Sequence, residues 1–151
     1  MQTPKENASG QSPYEQELAY WKKNFRALTD EELIRTFNSS TGIRAWNRSR
    51  ATQCDALIHE FERRDWDYSV LGDRYRLSIK TCVVLRNTSL YRFTQLPLDE
   101  AYALLVKHLA DVCQTNPAIQ LIEYDDERIT YRLDVSDPVC IVSLKDLLLN
   151  R

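Results

Sequence analysis

The apolar residues of this chain change their spacing sharply at Tyr75. Before that point they recur every three or four positions. After it, Tyr75, Leu77, Ile79, Thr81, Val83 and Leu85 alternate with Arg76, Ser78, Lys80, Cys82, Val84 and Arg86. A period near 3.6 buries one stripe of a helix, whereas a period of two buries one face of a strand. One kind of element cannot satisfy both patterns. The chain therefore divides into a helical part (13–64) and a sheet part (75–151), with 65–73 as a connector.

The helical part carries its own start signals. Ser12-Pro13-Tyr14-Glu15 places an N-cap, a first-turn proline and a capping-box glutamate ahead of the stripe Tyr14, Leu18, Trp21, Phe25 and Leu28. Thr29-Asp30-Glu31-Glu32 opens a second helix bearing Leu33, Ile34 and Phe37, which Asn38 to Gly42 is expected to end as a loop. A third helix is predicted from about Ala45 to Arg64. Trp46, Ala51, Cys54, Leu57, Ile58 and Phe61 share its apolar arc, and Arg50 falls inside that arc, where a charge must be paired, snorkel or face a partner. Residues 1–12 read as a disordered tail.

In the sheet part, Asn87-Thr88 turns the strand at 75–85 into a second one, Leu90 to Thr94. Pro97-Leu98-Asp99-Glu100 opens a long, largely apolar helix to about Gln114. Ala118–Tyr124 and Ile129–Val135 form a hairpin across Asp125-Asp126-Glu127-Arg128, and Val139–Ser143 adds a strand before a short terminal helix. The expected fold is α+β. About three N-terminal helices precede an antiparallel sheet of about five strands with one long packed helix and a short C-terminal one, all in a single domain at 13–151.

Several function classes are excluded by scarcity. The only glycines are Gly10, Gly42 and Gly72, too few and too scattered for a P-loop or dinucleotide cradle. Cys54, Cys82, Cys113 and Cys140 contain no C-x-x-C pair, so zinc is not expected, and reduced thiols in a cytoplasmic protein are. MQTPKENASGQSP has no apolar stretch of the kind a signal peptide needs, and no segment is long and apolar enough for a membrane span. The acidic group Glu123, Asp125, Asp126 and Glu127 lacks the ligand spacing of a calcium loop and reads as a charged turn. His59 and His108 are the only histidines, both on predicted helices, and no local catalytic signature accompanies them. No catalytic residue, metal or cofactor is assigned.

What remains is recognition. Residues 35–64 carry net +3 and residues 95–151 net −5. Arg35, Arg44, Arg48 and Arg50 lie between Glu32 and Asp55 with no acid among them, and Trp46 stands inside the run. Guanidinium forks grip phosphates and carboxylates, and an indole offers a stacking surface. Arg44, Trp46, Arg48 and Arg50 are therefore candidate binding residues, joined by Arg76 and Lys80 from the strand at 75–85. The first helix supplies a second candidate: Tyr14, Leu18, Trp21 and Phe25 suit a core stripe or an interaction seam.

The function read from these features is a small cytoplasmic, non-enzymatic protein-binding module: an adaptor, inhibitor, chaperone or immunity-type partner. Another protein is the expected partner, homo-oligomerisation is open, and a membrane is not expected. The alternative is a nucleic-acid-binding regulator using 35–50. The third reading is an enzyme whose Cys/His site forms only in the fold.

Overall fold

The computed structural model describes residues 10–42, 48–113, 119–133 and 136–149, without the side chains of 48 and 111–113. The tail at 1–9, Arg44, Trp46, the Arg48 side chain and the strand ends at 118 and 134–135 lie outside the described residues. Three helices come first. The Ser12 hydroxyl accepts from the Glu15 N–H (3.1 Å) at the start of α1 (Pro13–Arg26). Thr29 and Glu32 exchange side-chain and backbone bonds at the start of α2 (Asp30–Ser40). Helix α3 (Arg48–Arg63) ends in a left-handed turn at Asp65, φ 59°, with Trp66 N–H donating to Phe61 O (3.0 Å) and Asp65 N–H to Glu62 O (3.1 Å).

Helix α2 does not stop before Asn38 as the polar run 38–42 suggests; it continues through Ser40. The Asn38 side chain bonds to a strand elsewhere and so does not compete for its own helix backbone.

Helix α1 packs along α3 and is pinned at both ends. At its start the Tyr14 hydroxyl donates to the Asp55 carboxylate. At its end Arg64 donates to the carbonyls of Phe25 (3.0 Å) and Leu28 (2.6 Å), so the two helices run in the same direction. Arg64 also bonds Glu60 (2.5 Å) and Asp30 (2.6 Å), tying the start of α2 to the ends of the other two helices. Glu60 is fully buried and is clasped by a second fork from Arg63 (2.8 Å).

The strands are β1 (Gly72–Asp73), β2 (Arg76–Leu77), β3 (Val83–Arg86), β4 (Ser89–Arg92), β5 (Gln120–Tyr124), β6 (Arg128–Arg132) and β7 (Cys140–Ser143). Helix α4 (Leu98–Cys113) lies between β4 and β5, and α5 (Leu144–Leu149) follows β7. All pairings within the sheets are antiparallel, but the sheet expected as one is divided into β1-β2, β3-β4 and β5-β6-β7. The division comes from segment 78–82. Ser78 N–H donates back to Leu71 O (2.8 Å) and Gly42 N–H donates to Ile79 O (3.0 Å), so this stretch serves the connector and the end of α2 instead of a long ladder. Gly72, at φ 149°, lets β1 approach β2: a Cβ there would lie 2.0 Å from Arg76 O.

Two cores meet at β3. The first gathers Phe25, Leu33, Phe37, Leu57, Phe61, Trp66 and Val83. Phe61 lies at its centre, with Trp66 and Tyr68 each 5.7 Å away between ring centres. The second gathers Cys82, Val84, Phe93, Leu105, Ile129, Leu144 and Leu148. Alternation along β3 sends Val83 into one core and its neighbours Cys82 and Val84 into the other. Among the described residues no helix is long and apolar enough to cross a membrane.

Replacing Arg64 with Met leaves the buried Glu60 carboxylate to Arg63 alone and removes the guanidinium from two carbonyls at the end of α1, so Arg64→Met should lose about 3 kcal/mol in urea unfolding. The double variant Glu60→Met, Arg64→Met should recover part of that loss. Equal stability of Arg64→Met and the unaltered chain would contradict this account.

Burial works to raise the Glu60 carboxyl, but the bonds and charges of Arg63 and Arg64 outweigh it and hold its pKa below the ordinary carboxylate range. A carboxyl lowered in the folded state stabilises fully above its unfolded pKa and loses that contribution as pH falls through the folded value. The melting temperature should therefore drop on acidification below about pH 4.5, and Glu60→Gln should show a shallower acid limb. Identical acid limbs in the two proteins would refute the assignment.

Candidate functional site

The site begins with one buried amide. Asn38, 2% exposed, lies on the inward side of α2, one turn beyond Ile34. Its Nδ2 donates to Val83 O (3.0 Å) and its Oδ1 accepts from Val83 N–H (2.8 Å). The side chain thus does for Val83 what a neighbouring strand would do, satisfying both backbone groups at once. Around it the end of α2 is closed by Thr41, whose hydroxyl donates to Asn38 O (2.7 Å) and lies 3.3 Å from Cys82 Sγ.

This junction seats β3 beside α2 and leaves a groove of about 330 Å³ between α2, β3 and α5. Ile34, Val84, Leu85 and Leu148 supply its apolar lining. The polar rim is Asp30, Glu31, Arg35 and Arg86. Three of these charges are already engaged. Asp30 is bonded to Arg64, Arg35 donates to Leu149 O at the end of α5 (3.1 Å), and Arg86 pairs with Glu100 (2.8 Å). Glu31 has no ion pair among the described residues.

The residues singled out in the sequence have different surroundings within the described part. Arg50 is buried and donates to Ser40 O (3.3 Å), capping the C-terminal end of α2. Its place in an apolar arc is explained by that internal bond, with the favourable sign a cation has at a helix C-terminus. Arg76 is exposed on β2, and Lys80 is exposed in the segment between β2 and β3. Arg44 and Trp46 lie outside the described residues, and of Arg48 only the backbone, the first residue of α3, is described. The stripe of α1 is used internally: Phe25 is 3% exposed, Leu18 and Trp21 pack against the first core, and Tyr14 is held by Asp55.

The material for catalysis is thin. Burial pushes the thiols of Cys54 and Cys82 up, opposite to the shift that activates a cysteine nucleophile. His59 is exposed on α3 and His108 is half-buried on α4. No group of three or more potential metal ligands occurs among the described residues. In the turn at 125–128, Asp125 accepts from the N–H groups of Glu127 (2.8 Å) and Arg128 (2.9 Å), and these bonds lower its carboxyl pKa. The charged group there is accordingly a turn-former.

Asn38 and Glu60 were not among the sequence candidates. A signal for each was present: a polar residue at helical spacing on the inward stripe, next to Phe37 and Phe61 respectively.

Asn38→Ala leaves the Val83 N–H and C=O buried without partners and should cost about 2–3 kcal/mol. Asn38→Asp keeps the acceptor, loses the donor and buries a charge, so it should be at least as damaging in thermal unfolding. Unchanged melting of both variants would remove the junction as the element that seats β3. Comparison with protein-family models, with curated proteins and with solved structures gives no match to this chain.

Proposed function

We propose that this chain works by binding another protein, through the groove between α2, β3 and α5. The observation that carries the reading is the groove itself: an apolar lining of Ile34, Val84, Leu85 and Leu148 inside a charged rim, open to solvent. An apolar centre with a polar rim is the usual anatomy of a protein contact surface. The floor comes from elements locked together by Asn38 and by Arg35, so little ordering cost falls on association.

The nucleic-acid reading draws on Arg35, Arg44, Arg48, Arg50 and Trp46. Arg35 and Arg50 each bond a carbonyl at a helix C-terminus, which takes part of their capacity for phosphate. The groove gives the protein-binding reading a surface of its own.

A photo-crosslinking phenylalanine analogue in place of Glu31, on the rim, tests this in lysate of the native cells. The same analogue in place of Tyr75, exposed and outside the groove lining, is the control. The reading predicts adducts of defined mass from position 31, absent from position 75 and reduced by Ile34→Lys. No adduct from position 31, or the same adducts from both positions, would contradict it.

A further inference from the structure

The backbone of β3 identifies the kind of partner segment the groove takes. Both polar backbone groups of Val83 point away from β4, because both are bonded to Asn38. Backbone groups two residues apart on a strand point to the same side, so the N–H and C=O of Leu85 also point away from β4. The opposite residue agrees. Leu90 pairs with Leu85 in register, yet its N–H donates outward to Asp67 O (2.9 Å), as it does in a non-hydrogen-bonded antiparallel pair. On β4 that outer side is covered by Asp67, which bridges Ser89. Among the described residues the cover on β3 is a single side chain, and it stops at Val83.

Leu85 therefore offers a strand-edge donor and acceptor into the groove. Among the described residues none accepts from its N–H beyond the sheet, and the one bond to its carbonyl is long, 3.4 Å, from the guanidinium of neighbouring Arg86. Resting on the protein-binding reading above, we infer that the partner segment is an extended peptide that adds to the open edge of β3, takes the backbone bonds of Leu85, and sets an apolar side chain between Ile34 and Leu148. Helix partners and compact apolar ligands have no free backbone groups with which to meet such an edge, whereas strand addition matches it directly. The charge of the rim narrows the class further. Asp30, Arg35 and Arg86 are engaged and Glu31 is not paired among the described residues, so a lysine or arginine beside the apolar anchor complements the groove.

The test uses the full chain and a random octapeptide display library. Peptides recovered from it are resynthesised with single N-methyl groups at each backbone position, and affinities are read by fluorescence anisotropy. Strand addition predicts sensitivity that alternates along the peptide, with N-methylation at an edge-bonding position weakening binding about tenfold or more and at its neighbours far less. Leu85→Pro removes an N–H that faces off the sheet, a place where an edge strand tolerates proline, and should weaken binding by a similar factor. Glu31→Lys, at an exposed position that leaves the fold intact, should weaken it as well. Peptides that bind without alternating sensitivity, or equally to Leu85→Pro and Glu31→Lys, would overturn strand addition while leaving a protein-binding groove. Failure to recover any peptide, with adducts still formed from position 31, would do the same. Failure of both experiments would overturn the groove as a docking site altogether.

Discussion

The amide of Asn38 decides how the helical and sheet-forming parts of this chain meet. A strand placed beside a helix ordinarily leaves its outer backbone groups to solvent or to another strand. Here one side chain supplies a donor and an acceptor to Val83, in a position 2% exposed. Buried polar groups left unpaired are costly, so the bond geometry fixes the register of β3 against α2 as firmly as a ladder would. Register in turn sends Val83 to one core and Cys82 and Val84 to the other, which lets a strand of four residues serve two hydrophobic clusters.

Charge follows the same economy. Among the described residues, Arg35 and Arg50, which look surplus in the sequence, are spent on carbonyls inside the fold. Arg64 closes the ends of α1 and α3 and the start of α2, Arg50 caps α2, Arg35 caps α5 and Arg92 reaches Val70 O (3.1 Å). Helix C-termini carry partial negative charge, and guanidinium groups placed there gain hydrogen bonds and a favourable dipole together. The segregation of positive charge at 35–64 thus reflects, in its described part, the supply of hydrogen bonds to the C-terminal ends of α1, α2 and α5. A surface gathered for an outside polyanion is not needed to explain these side chains.

Much of the architecture was legible from residue order. The N-cap at Ser12, the capping box at Thr29, the stripe of α1 and the period-two stretch at 129–132 appear where the pattern places them, while the Glu15 carboxylate takes the Ser12 hydroxyl and not the backbone N–H that a capping box requires. Less legible was the fate of the best strand signal. Alternation from Tyr75 to Leu85 is real, but alternation records which side chains are apolar and not which backbone groups find partners. Ser78, Ile79 and Val83 find theirs in Leu71, Gly42 and Asn38, so the run breaks into β2 and β3. The groove was invisible for a related reason. Its lining residues, such as Ile34, Leu85 and Leu148, are far apart in sequence and ordinary one by one, and they become a site only once Asn38 brings β3 to α2.

Amide hydrogen exchange in the unbound protein, read residue by residue along β3, addresses the central claim most directly. The Val83 amide, held by Asn38, should exchange slowly, and the Leu85 amide, facing the same side without a partner among the described residues, should exchange at least about a hundredfold faster. Comparable protection at the two positions would mean that the edge of β3 is closed along its length, and the groove would then have no backbone to offer.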